Sequence, residues 1–153
     1  MTPGETNLDI LIKNMQPVLN EGEYVFCAVS HGDMGNYVER AICFFKEQEG
    51  TTLILPKHVA DDKGLAYTFT SAWITLAVYS SLEAAGLTAA FATALADAAI
   101  SCNVVAAYHH DHIFVPMHDG ERAMETLKKL AKTGTHQKGN MHEQKVRVKH
   151  NSL

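Results

Sequence analysis

The sequence predicts an α+β protein of two similar halves, each an antiparallel sheet with helices on one face. Two repeated strings carry this expectation. Leu53-Ile54-Leu55-Pro56-Lys57-His58 returns as Ile113-Phe114-Val115-Pro116-Met117-His118, 60 positions later. Tyr24-Val-Phe-Cys-Ala-Val-Ser30 returns in kind as Trp73-Ile-Thr-Leu-Ala-Val-Tyr-Ser80, at an offset of about 50, the mark of an internal duplication. The offsets differ by roughly ten residues, the length of one helix, long in the second copy and vestigial in the first. Each copy then reads strand–helix–strand–strand–helix, the order of a split βαβ, or ferredoxin-like, unit.

The elements follow in order. Residues 5–15 carry apolar side chains at Leu8, Leu11, Ile12 and Met15, a helical spacing. Thr6 or Asn7 caps that helix and Pro17 ends it. Residues 23–30 are rich in β-branched and aromatic side chains and predict a strand. A turn covers 31–35, with a short helix near 36–41. Residues 42–48 and 51–56 face each other across Glu49-Gly50 as a hairpin. A short helix over 57–63 closes at Gly64, and 65–70 predicts another strand. The second copy opens with a strand over 73–80. Helix 86–99 follows, with Leu87, Phe91, Leu95 and Ala98 on one face. Residues 101–108 and 111–116 predict strands around His109-His110. Asp119 caps a last helix whose buried stripe is Ala123, Met124, Leu127, Leu130 and Ala131. The period stops after Lys132. The expected division is an N-terminal helix (1–18), a first module (19–71), a second module (72–134) and a basic flexible tail (135–153). Val146 and Val148 alternate with charges in that tail and leave one edge strand open there.

Composition excludes several classes. The chain has 153 residues, 46% hydrophobic and 20% charged, which is the balance of a globular protein. No run approaches the roughly 18 apolar residues of a membrane span; the most apolar stretch, 84–107, is broken by Gly86, Thr88, Thr93, Asp97, Ser101 and Asn103. Met1-Thr-Pro-Gly-Glu5 is not the basic start of a secretory signal. Cys27, Cys43 and Cys102 are odd in number and widely spaced, as reduced thiols in a cytoplasmic protein are. Net charge is −4. The tail carries Lys138, Lys145, Arg147 and Lys149 against Glu143, net +3, which leaves the body at −7. An acidic body argues against nucleic acid as a partner.

The segment Ala99-Ile-Ser-Cys-Asn103-Val-Val-Ala-Ala-Tyr108-His-His-Asp111-His-Ile-Phe-Val115 resembles a motif of aspartokinase-type ACT domains. That motif runs small residue, Ile or Val, Ser or Pro, an apolar run, Ser-Thr, an aromatic, a polar turn, Asp-Tyr and an apolar strand. The spacing from Ile100 to Asp111 fits without gaps. Ala106-Ala107 stand where Ser-Thr is usual, and His112 stands for Tyr. Leu82-Glu83 followed by Gly86-Leu87-Thr88 resembles the family's ligand loop with one residue inserted. The likeness spans about 19–132 and is similar to small stand-alone tandem ACT proteins related to cellular arginine sensors. It implies two ACT-type βαββαβ modules, a small-molecule regulatory role without catalysis, an amino-acid ligand, no cofactor and a homodimer.

Residue chemistry locates the expected site between the 73–80 strand and the helix after it. Ser80 and Ser81 offer hydroxyls, and Gly86 lets a ligand approach the backbone. The amides near Leu87 and Thr88, at a helix N-terminus, attract a carboxylate. An ammonium needs an anion, and Asp111 leads Glu83 in that role; Leu82 lines the loop and Asn103 bonds either group. Local structural roles are the alternative: Gly86 starting a helix, Asp111 accepting backbone N–H groups in a turn, Asn103 satisfying its own strand. His110 and His112 fall on one strand face and are the weak metal candidates, but two imidazoles fall short of a catalytic zinc set. The glycines at 31–35 make no dinucleotide fingerprint, and there is no Walker or Gly-x-Ser-x-Gly motif. Two further readings stay open: a structural or interaction subunit with a decayed pocket, and a metal-binding protein using His109 to His112.

Overall fold

The computed structural model describes residues 5–78 and 84–134. Its elements run α1 (Leu8–Asn14), β1 (Gln16–Leu19), β2 (Tyr24–Val29), β3 (Cys43–Lys46), β4 (Thr51–Pro56), α2 (Lys57–Asp62), β5 (Thr70–Ala77), α3 (Leu87–Asp97), β6 (Asn103–Ala106), β7 (Asp111–Pro116) and α4 (Gly120–Thr133). The strands form one antiparallel sheet in the order β3-β4-β2-β5-β7-β6, with β1 also paired to β5. Both halves are ferredoxin-like: β2-β4-β3 and β5-β7-β6 show the same first-third-second order.

The repeat is real in space. β4 and β7 begin and end 60 positions apart and share one burial pattern, residue for residue. Each ends in a proline that hands the chain to a helical turn, Lys57 in one case and Met117 in the other. Tyr24 faces Pro56, and Ser71 faces Pro116. The first strands therefore match at an offset of 47, slightly less than the strings suggest. The vestigial first helix is a 3-10 turn at Met34–Asn36.

Several expectations change. The N-terminal segment, expected as a helix over 1–18, also carries a strand: β1 pairs with β5 through Gln16–Ala77, Pro17–Leu76, Val18–Thr75 and Leu19–Ile74. Leu11, Ile12 and Met15 of this segment share one core with Leu87, Phe91, Leu95, Ile113 and Leu127. β1 is a sheet-border strand, where Pro17 can be accommodated without a ladder N–H. The strand expected at 65–70 starts only at Thr70, and that expected at 73–80 is the same strand, β5. Asp119 occupies the cap position of α4 but makes no capping bond; its carboxylate is held by Arg122 and His118. Asn7 does cap α1, its Oδ1 accepting from the Ile10 N–H at 3.2 Å.

The two halves share their strands. β1 and β2 follow each other along one border of β5, first at Gln16 to Leu19 and then at Tyr24 and Val25. β1 thus serves as fourth strand of the second half, and the start of β5 serves as fourth strand of the first. Between β1 and β2, the Asn20 N–H donates to the Trp73 carbonyl at 2.8 Å. On one sheet face, Ala72, Ile74, Leu76, Ile113 and Val115 pack under α1, α3 and α4. On the same face of the first half, Val25, Cys27, Leu53 and Leu55 pack with Val59 and Ala60 of α2. The opposite face closes on itself: Tyr24, Phe26, Cys43 and Ile54 of the first half meet Trp73, Val105 and Phe114 of the second. Phe26 and Phe114 meet edge to face at 5.4 Å.

Two stability predictions follow from these positions. Leu11 is fully buried among helices of the second half, so Leu11→Ala should cost about 2–5 kcal/mol; a urea midpoint unchanged from the parent would mean that α1 is not part of that core. Ala99 ends α3 at a φ of +57° and is exposed, where glycine is the usual residue. Ala99→Gly should raise stability by roughly 0.5–1 kcal/mol, the left-handed penalty less glycine's unfolded-state entropy, read by the same titration.

Candidate functional site

The second crossover leaves β5 at Ala77 and enters α3 at Leu87. Gly86 holds the helix N-cap at a φ of +98°, and among the described residues no side chain caps the helix there. The first N–H groups of α3 therefore lack a side-chain acceptor from the cap residue. Gly86 and Thr88 are exposed and Leu87 is buried. Leu8 of α1 flanks Gly86; a Cβ added there would lie 3.0 Å from its Cδ2. The helix start is thus open on one side and held by an aliphatic side chain on another.

Asp111 opens β7, opposite Leu76 on β5 and Ala106 on β6. β5 ends, β7 begins and α3 begins at the same end of the second half, so the carboxyl and the helix start share that end. Asp111 is one of few buried charged residues, 9% exposed. Burial pushes its carboxyl above the usual range, against the pull of nearby His112 and His110. The first half has nothing comparable. Thr51 takes the position of Asp111 there, fully buried, with its hydroxyl 3.1 Å from His31 Nδ1.

Other expected site residues fall apart from this pair. Asn103 lies at the opposite end of the β6–β7 hairpin, opposite Phe114. It is exposed on the sheet face away from the helices, so it cannot bond a ligand held by Asp111. The reason is strand arithmetic: 103 and 111 sit at opposite ends of a hairpin and on opposite faces. Ser80, Ser81, Leu82 and Glu83 lie outside the described residues. Two clefts of about 320 Å³ occur elsewhere, one beside α3 and α4, one between the β3 and β6 borders.

The histidines do not gather ligands. His112 Nδ1 accepts from the Trp73 Nε1–H at 3.0 Å and lies 3.2 Å from Thr75 Oγ1. Asn20 Nδ2 in turn donates to Thr75 Oγ1 at 3.0 Å. No group of three or more metal-capable side chains converges among the described residues. His110 Nδ1 is buried without a hydrogen-bond partner among the described residues. Sequence reading missed the Asn20–Thr75–His112–Trp73 network. Its only sequence signal is that Thr75, Trp73 and His112 share strand parity across a pairing that the sequence does not reveal. Burial pushes the thiols of Cys27, Cys43 and Cys102 up, which disfavours thiolate chemistry at neutral pH. Among the described residues no helix is long and apolar enough to cross a membrane.

The fold defines the class: two fused ferredoxin-like modules that share their border strands. ACT-domain profiles match residues 3–72 and 68–129. A Vibrio cholerae protein of unknown function, described as a possible transport protein, is 45% identical, with a TM-score of 0.73 over 81% of this chain and 95% of that one. The ligand-free regulatory subunit of aspartate kinase from Thermus thermophilus is 8% identical, with a TM-score of 0.58 over 74% and 94%. The Clostridium acetobutylicum aspartate kinase is 9% identical, with a TM-score of 0.57 over 78% of this chain and 34% of that one. No curated protein sequence matches. The chain belongs to the ACT-domain family, as a tandem ACT protein. That membership supports a regulatory, ligand-binding role.

Asp111 gives the site a measurable signature. Its folded-state pKa is raised, so it favours the folded state while protonated; that contribution is present below the unfolded pKa and is lost as pH rises through the folded one. Asp111→Asn should remove this loss and raise the urea midpoint at pH 7, with the gain shrinking as the pH is lowered and the parent carboxyl takes up its proton. A variant less stable than the parent at pH 7 would show that the carboxylate is structural.

Proposed function

We propose that the chain is a non-catalytic regulatory module that binds an amino acid at the start of α3. The observation that carries this is Asp111: a buried carboxylate at the same end of the second half as an exposed, uncapped helix start. A zwitterion fits that pairing. Its carboxylate would sit on the amides near Leu87 and Thr88, where the N–H groups and the dipole of a helix start favour an anion. Its ammonium would face Asp111, whose burial cost it would offset. The loop residues Ser80, Ser81, Leu82 and Glu83 complete the proposed site; Asn103 leaves it. Leu8, against Gly86, would feel an occupant and pass the change to α1. Ligand would then act by binding two arrangements of the chain unequally.

Thr51 and His31 fill the matching place in the first half, which supports one site per chain. A homodimer in the cytoplasm belongs to the same reading, supported by Phe44 and Phe45, exposed on the border strand β3.

Titration calorimetry against a panel of amino acids tests the proposal. One or a few should bind, with a stoichiometry of one per chain, and Asp111→Ala should weaken binding at least tenfold, the scale of a lost charged partner. Silence of the whole panel at millimolar ligand would reject it, and so would equal binding by the variant.

A further inference from the structure

Trp73 bridges the two halves. Its ring meets Tyr24 of the first half edge to face at 5.2 Å and stacks with Phe114 of the second at 6.2 Å. Its indole N–H donates to His112 Nδ1. An indole nitrogen is a donor only, so this Nδ1 is bare and the neutral ring carries its proton on Nε2. Thr75 reinforces the assignment. Its oxygen accepts from Asn20, which leaves the hydroxyl proton free to donate to the same Nδ1. Asn20 also donates to the Trp73 carbonyl, from the bend that joins β1 of the second half to β2 of the first. Four residues thus tie the bend, β5 and β7 together through one unprotonated nitrogen.

We propose that the Trp73–His112 bond is a pH-sensitive latch on the seam between the two ACT modules, closed when His112 is neutral and released when it is protonated. A proton on Nδ1 would point at the indole N–H. Thr75 can turn its hydroxyl to accept; Trp73 cannot. The indole then loses its anchor and the Tyr24–Trp73–Phe114 stack can reorient. The groups that bear on His112 set release below the ordinary imidazole range. Half-burial and the charge of His110 both favour the neutral ring, and Asp111 opposes them. The same-face register neighbours bring no charge: Thr75 on β5, Val105 on β6 and, one strand further, Val18 on β1. The sign is fixed by this balance. A lowered folded-state pKa gives stability that is present above the unfolded value of about 6.5 and is lost as pH falls through the folded one. The latch needs no ligand, but it adjoins the proposed amino-acid site: His112 follows Asp111, and the charge of each bears on the other.

Trp73 is the single tryptophan of the chain, so tryptophan emission reports its surroundings and no other position. Full-length protein titrated from about pH 8 to pH 5 should show one emission transition with a midpoint below about 6.5, and the thermal midpoint should fall over the same window. His112→Asn, which keeps an acceptor but cannot titrate there, should flatten both. His110→Asn should keep the transition and move its midpoint up. A flat parent, or a transition that persists in His112→Asn, overturns the proposal. If His112→Asn does not fold, the single indole N–H resonance of the parent decides: it should shift with the His112 ring titration, and its constancy across that titration overturns the latch.

Discussion

The structure depends on one pairing, in which the chain through β1 and β2 runs antiparallel to β5. Each half of a ferredoxin-like pair needs a fourth strand beside its first. Here each takes it from the segment that leads into the other half's first strand: β1 for the second half, the start of β5 for the first. Neither half can complete its sheet without the other's neighbouring chain. The helices must then lie on one face, and the aromatic face of both sheets is left to close on itself around Tyr24, Phe26, Trp73 and Phe114. The bend between β1 and β2 is pinned by Asn20 to Trp73 and Thr75. It is one of the points at which the halves meet, with the Tyr24–Trp73 and Phe26–Phe114 contacts.

Within that arrangement the duplicated halves differ in structure at equivalent places. The first crossover has collapsed to a short turn, and the buried end position is a threonine satisfied by His31. The second crossover keeps a full helix with an open start, and the same position is a carboxylate that burial makes costly. A fold retains an expensive group more readily where a ligand or partner compensates it. In the proposed reading the first half is framework and the second holds the ligand, and α1 ties the N-terminal segment to the second half through Leu8 and Leu11.

Much of this was legible in the sequence because it is local. β7 is marked by alternation, a proline stop and its repeat at β4. α3 and α4 are marked by helical stripes, and Asn7 by its cap position. What stayed hidden depends on partners distant along the chain. β1 is four residues with a proline inside, a pattern that argues against a strand until β5 lies beside it. Residues 65–69 have strand-like composition but no partner. Asn103 and Asp111 are close in the sequence, yet a hairpin carries them to opposite ends. Asp119 has the residue type of a cap, but Arg122 one turn on claims its carboxylate. The bond between Trp73 and His112 spans 39 positions and no local pattern announces it.

The central claim is that an amino acid is held where α3 begins and β7 begins. Backbone amide shifts of the full chain, mapped with and without saturating amino acid, test it most directly. The account predicts that the largest shifts cluster at Gly86, Leu87, Thr88 and Asp111 and extend to Leu8, with the Thr51–His31 position of the first half quiet. Shifts centred instead on Phe45 and Val105 at the cleft between the sheet borders, or equal shifts in both halves, would contradict it.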